Sequence, residues 1–218
     1  MIRKFLFSRA MLNRLARIVP YYTPSPAQFN PEAVLDGLWP YLLAEKLDYQ
    51  EKTILELGSG STNGVGYHIV ARGAARCFCL EPFMPFAEQL DAKHRNAIQR
   101  DHPDVMTRVI RATQWQEIPD RSIELVISNA VLEHIYDFPA LLEALIPKLK
   151  PQAYMLHMVD YRDHFFKYPL HFLQFSDRIW NRFLDPGNMP RPRICDHINT
   201  FSAAGFNVRI LGLKVIQT

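Results

Sequence analysis

Ile54-Leu55-Glu56-Leu57-Gly58-Ser59-Gly60-Ser61-Thr62-Asn63-Gly64 is the stretch that decides the fold: a short apolar strand, a glycine-rich bend and the start of a helix. Glycines in such a bend adopt backbone angles that cost other residues energy, and they let a ligand approach the main chain closely. Glu56, just before the first glycine, narrows the choice of ligand. A carboxylate there attracts a cationic ammonium and repels a dinucleotide pyrophosphate. Counted from Gly58, a dinucleotide fingerprint needs glycine at position 63, where the chain has Asn63 with Gly64 one place late, so the spacing argues against a nicotinamide-dependent oxidoreductase. No Lys-Ser or Lys-Thr follows the glycines, which excludes a phosphate-binding P-loop.

Outward from this turn, short apolar strands alternate with longer helical stretches. Strands are expected near 53–57, 76–80, 105–110, 124–128 and 153–158, and helices over 31–47, 64–72, 85–99 and 138–149. Pro31 suits a first helical turn, and Pro40 is expected to kink its helix. This alternation predicts an α/β fold: a Rossmann-like, doubly wound, mostly parallel sheet with helices on both faces. Near the end, 192–204 reads as a helix stopped by Gly205, and 206–211 as a sixth strand. Only Gly212 to Thr218 follow, so a seventh strand is not expected, and the backbone near Val208 and Ile210 is expected to be poorly paired, an edge open to oligomerisation.

Ahead of the domain, residues 2–19 set Phe5, Leu6, Leu12, Leu15, Ile18 and Val19 among Arg3, Lys4, Arg9, Arg14 and Arg17. That is a basic amphipathic helix, suited to packing on its own domain or a partner, or to peripheral contact with an anionic membrane at its inner face. Pro20, Pro24 and Pro26 mark a linker, which makes 1–26 an extension and 27–218 the main domain, with an aromatic-rich insertion at about 161–192. The helix is expected to be separable from ligand binding.

Glu81 follows the apolar run Cys77-Phe78-Cys79-Leu80, where a carboxylate at a strand's end can accept hydrogen bonds from ribose hydroxyls. A second motif runs Ser122-Ile123-Glu124-Leu125-Val126-Ile127-Ser128-Asn129-Ala130-Val131-Leu132-Glu133-His134. With the glycine turn, it resembles the class I S-adenosylmethionine-dependent methyltransferases. Their E/D-x-G-x-G-x-G pattern is met at Glu56, Gly58 and Gly60, with Thr62 in place of the third glycine, and F-D-L-V-x-S-x-x-V-L-E-H is similar to the second motif. The resemblance implies S-adenosylmethionine as cofactor, held by Glu56, Gly58, Ser59, Gly60 and Glu81, with Ser128 and Asn129 beside its methyl-bearing end. The acidic residue the family usually carries after the third strand is missing; Gln114 can pair with the adenine edge instead, and Trp115 either covers the ring or belongs to the core. The pattern Asp160-Tyr161-Arg162-Asp163-His164, with the aromatic stretch behind it, is similar to bacterial members in sugar or cell-envelope biosynthesis.

The implied activity is methyl transfer to a small-molecule or saccharide acceptor, with His164 and then His134 as candidate bases. Glu133 and His134 more often stabilise the following turn and helix than catalyse. Asp160, Asp163 and His164 admit a metal site, an acid–base pair or structural hydrogen bonding, and no metal is expected. The competing reading is a non-catalytic, methyltransferase-like binding or scaffold protein. With 25 basic and 22 acidic residues and a formal charge of +3, nothing indicates a nucleic-acid partner. Three cysteines without C-x-x-C spacing, and no apolar run of membrane-spanning length, point to reduced thiols in a cytoplasmic protein.

Overall fold

The computed structural model describes residues 30–162, 170–185 and 190–213. Five strands form one parallel sheet: β1 Thr53–Leu57, β2 Arg76–Leu80, β3 Val109–Ala112, β4 Ile123–Asn129 and β5 Leu149–Met158, in the order β3-β2-β1-β4-β5. Among the described residues the helices that flank the sheet are α1 Pro31–Ala44, α2 Gly64–Ala71, α3 Glu88–Gln99, α4 Val105–Arg108, α5 Phe138–Leu145 and α6 Ile194–Ala203, with a further helical segment from Asp177 to Leu184. The order reverses between β1 and β4, and a sheet of this kind opens its binding crevice at the carboxyl ends of such a strand pair.

Because side chains alternate across a strand, each strand supplies two cores. On one face Ile54, Cys77, Cys79, Leu125 and Ile127 pack with Leu35, Leu38 and Leu42 of α1 and Ile69 and Val70 of α2. On the other, Leu55, Leu57, Phe78, Leu80 and Val126 pack with Leu142 and Leu145 of α5 and Phe201 of α6. Asn30 caps α1, its side chain accepting from the Ala33 N–H at 3.0 Å, with Pro31 in the first turn as the sequence suggests; Pro40 lies inside the helix.

Three expected strands are corrected, the fifth simply by starting at Leu149 and not at 153. The third does not begin at residue 105: α4 occupies Val105–Arg108, and β3 runs from Val109 to Ala112. The cause is Arg108, which pairs with Asp104 one turn back and reaches the carbonyls of Ala75, Ala74 and Val70, ends of α2 and its following turn that need donors. The expected sixth strand at 206–211 is not one of the sheet's strands. Phe206 and Val208 pack on the second core and Leu211 on the first, so the segment passes from one face of the sheet to the other. The preceding α6 starts at Ile194 and not at 192, and its stop at Gly205, with φ of +89°, agrees with the sequence. Helix α3 starts at Glu88 and not at 85, and α5 ends at Leu145, followed by a 3-10 turn to Lys148. Residues 2–19 and their linker lie outside the described residues. Among the described residues no helix is long and apolar enough to cross a membrane.

Candidate cofactor and acceptor site

The glycine turn is tied to the end of β2: the N–H groups of Gly58 and Ser59 both donate to the Leu80 carbonyl, at 2.9 and 3.3 Å. Gly58 has φ of +74° and Gly60 of +67°, angles that favour glycine. The two differ in their surroundings. A Cβ on Gly58 would stand 2.5 Å from Val131 Cγ2, whereas a Cβ on Gly60 would meet nothing within 4 Å. Glycine at 58 thus makes room for the chain's own Val131, and only at 60 does it leave the backbone open to a ligand.

Glu56 points toward α2 and is buried. Burial pushes its carboxyl up to about 7, against the pull of the Cys79 thiol, the Arg111 charge and the Gly66 N–H. Its Oε2 has no hydrogen-bond partner. A buried carboxylate oxygen of that kind calls for a donor, and an ammonium beside the turn would supply one together with the countercharge. Cys77, Cys79 and Glu56 place their ligand atoms within 4.8 Å of one another. The thiols are wedged beneath α2, where a Cβ on Gly66 would already come within 2.5 Å of Cys79 Sγ.

Glu81 is buried and holds backbone: Oε1 accepts from Phe83 N–H at 2.9 Å and Met84 N–H at 3.0 Å, and Oε2 from Gly60 N–H at 3.0 Å. Of a carboxylate's roughly four acceptor positions about one is left for a ribose hydroxyl. Gln114 is exposed in a turn organised by Glu117, which accepts from the Thr113 and Gln114 N–H groups at 3.1 and 2.8 Å. Trp115 is half-buried against the second core. Ser128 is buried, its Oγ 2.8 Å from His157 Nδ1 across the β4–β5 pair, while Asn129 is half-buried at the strand's exit. Burial and the neighbouring His197 push His157 down to about 4, so it stays neutral at ordinary pH.

Beyond the ends of β4 and β5 lies a small cleft lined by Glu133, Asp160, Tyr161, Arg162, Phe172 and Arg191, with Pro192 at its edge. Glu133 holds the two strand exits together, Oε1 accepting from Asp160 N–H at 3.2 Å, while its Oε2 is unpartnered. Burial raises its carboxyl to about 7. His134 is half-buried in the same 3-10 turn, Leu132–His134, and Tyr161 Oη lies 2.8 Å from His197 Nδ1. Asp160 pairs with Arg162, and Asp163 and His164 lie outside the described residues. A larger groove, lined among others by Arg121, Ile146, Leu149 and Phe206, sits at the amino end of β5. That is the wrong end of a parallel sheet for a ligand of the glycine turn.

One contributor escapes the sequence reading. Arg111 sits on β3, two strands from the glycine turn, yet donates to it; a lone arginine in a short strand gives no signal of that reach. Glu133 stands in the V-L-E-H motif, and only its burial, under the β5 exit, is beyond what the motif shows.

No curated protein sequence matches this one. Among solved structures, the fold is similar to an S-adenosylmethionine-dependent methyltransferase from Mesorhizobium loti, with TM-score 0.55, 20% identity, and coverage of 81% of this chain and 84% of that one. It is also similar to Haemonchus contortus phosphoethanolamine N-methyltransferase 2, solved with phosphomonomethylethanolamine and S-adenosylhomocysteine, with TM-score 0.53, 15% identity, and coverage of 78% of this chain and 37% of that one. At such identities the likeness carries the fold. The sequence itself matches the family model described as methyltransferase domain over residues 27–211. With the match spanning most of the chain, and a carboxylate beside the glycine turn suited to a cationic ligand, this is a member of the class I S-adenosylmethionine-dependent methyltransferases.

Proposed function

We propose that the enzyme methylates a small molecule, a sugar or another small metabolite, held beyond the carboxyl ends of β4 and β5. The reading rests above all on the unpartnered Oε2 of buried Glu56 beside a turn whose Gly60 is open to a ligand. In this reading Glu56 accepts from the cofactor's ammonium and Glu81 from its ribose. Gly60 presents backbone to its methionine portion, Gly58 and Ser59 fix the shape of the turn around it, and Gln114 and Trp115 border its adenine. Asn129 and the backbone of Ser128 face the methyl-bearing end. When bound, the cofactor supplies a methyl group on a positively charged sulfur. The chain's task is to hold an acceptor oxygen or nitrogen in line with it, which turns a two-body encounter into one oriented step.

A proton leaving the acceptor needs a base of near-neutral pKa. Glu133 has one and faces the cleft, with His134 beside it and His164 as the third candidate. Calorimetric titration with S-adenosylhomocysteine tests the cofactor half, and binding is expected. Glu81→Ala should weaken it by about 1.5–3 kcal/mol, because a ribose acceptor and the anchor of Gly60 are lost together. Unchanged affinity in a folded variant would remove Glu81 from the site. A labelled-methyl screen over envelope sugars, lipids and small metabolites then identifies the acceptor.

A further inference from the structure

Arg111 makes contacts that neither the glycine motif nor the family match accounts for. Its strand register puts it opposite Cys79, and from there the side chain crosses β2 to the exit of β1. One guanidinium nitrogen donates to the Gly60 carbonyl at 2.8 Å and approaches the Met84 carbonyl at 3.5 Å. The other reaches Ser59 Oγ at 3.4 Å and Asn63 Oδ1 at 3.3 Å. Its carbon stands 4.8 Å from the centre of the Phe86 ring. Gly60 is thereby gripped on both sides by charge, its N–H by the Glu81 carboxylate and its carbonyl by Arg111. Bonds to charged partners are about twice as strong as neutral ones.

We propose that Arg111 is a positioning residue of the cofactor site, clamping the glycine turn to the loop after β2 so that Gly60 is held in its ligand-binding shape. The inference rests on the cofactor reading above. Glycine turns are conformationally loose, and a turn fixed in advance spares the ligand the cost of ordering it. A planar fork with several donors suits this task, and a lysine's single ammonium reaches fewer acceptors. Arg111 also brings positive charge to a site that holds Glu56 and Glu81. The groups acting on the Glu56 carboxyl are Cys79 on β2, with Cys77 close by, Glu81 at the end of β2, the Gly66 N–H of α2, and Arg111. Of these Arg111 alone carries a full positive charge, so its loss favours the protonated form of Glu56.

The test is calorimetric titration with S-adenosylhomocysteine between pH 6 and 8.5, using the full chain, Arg111→Gln and Arg111→Lys. Arg111→Gln is expected to bind about tenfold more weakly, with the pH midpoint of binding displaced upward. Arg111→Lys keeps the charge but not the fork, so its affinity falls while its midpoint stays near that of the unaltered chain. A folded Arg111→Gln with unaltered affinity and midpoint overturns the proposal. If that variant does not fold, Arg111→Lys decides: full affinity overturns the clamp, and weakened binding at an unshifted midpoint supports it. No binding by the unaltered chain would instead overturn the cofactor reading, and the inference with it.

Discussion

The Glu56 carboxyl titrates differently in the folded and the unfolded chain. Unfolded, its carboxyl ionises near the ordinary 4.5; folded, burial holds the proton to about 7. The folded chain therefore binds more protons between those values. The stability this group contributes is complete below about 4.5, falls as pH rises, and is gone above about 7. Glu56→Gln cannot titrate, so stability relative to the unaltered chain should improve by on the order of 2 kcal/mol between pH 4.5 and 7.5. Urea denaturation at the two pH values measures it, and the difference between chains cancels Glu133, which is raised in the same direction. The glycines separate just as sharply. Gly58→Ala combines left-handed strain with a contact on Val131, costing about 2–4 kcal/mol, whereas Gly60→Ala carries the strain alone, about 1 kcal/mol. Thermal melts of Gly58→Ala, Val131→Ala and the double variant should show the double less damaged than the sum; strict additivity would mean the two residues do not meet. At this scale the sequence shows which residue types stand at the turn, since Glu56, Gly58 and Gly60 follow from local spacing. It does not show Val131 or Arg111 against them, because those contacts come from strands that are distant in the chain.

Helix α2 follows the turn, and its start is secured from another helix. Asp91 of α3 is buried and accepts from Asn63 N–H at 2.7 Å and from Tyr67 Oη at 2.7 Å. Burial, with Asp91 beside it, pushes the Tyr67 phenol well up, so it remains a donor. An anion at a helix's amino end also meets the positive end of its dipole. Asp91→Ala strands two buried donors, and it should lower stability by about 3 kcal/mol or more. Asp91→Asn keeps one acceptor oxygen and should fall between, as denaturant midpoints would show; equal midpoints for all three chains would deny the cap. Element identity is well written in the sequence where periodicity and punctuation agree. Apolar runs give β1 and β2 their limits, and Pro31 and Gly205 mark a start and a stop. It fails at 105–110, where Val105, Met106, Val109 and Ile110 suit a strand and the first four residues are instead helical, with Arg108 gripping the end of α2.

Across the whole molecule, the parallel sheet with two cores follows from the alternation of strand and helix patterns, and the match over residues 27–211 agrees with it. The tail from Phe206 onward does not follow, because an alternating apolar segment fits equally a sheet position and a path over the sheet's edge. The strand order has a consequence for the order of assembly. β1 pairs with β2 soon after it in the chain, but its other edge pairs with β4, which arrives only after β2, β3 and the intervening helices. Closing that long loop is the slower event, since distant pairings must give up chain entropy before contacts repay it. As the chain leaves the ribosome, a β1-β2-β3 half-sheet is complete on one side and bare along β1 on the other. Val131, which seats Gly58, comes after β4 as well. The cofactor site is thus one of the last things the nascent chain can finish, and a ribosome stalled before Ile123 would display an open, apolar β1 edge to whatever chaperone or neighbouring chain is at hand.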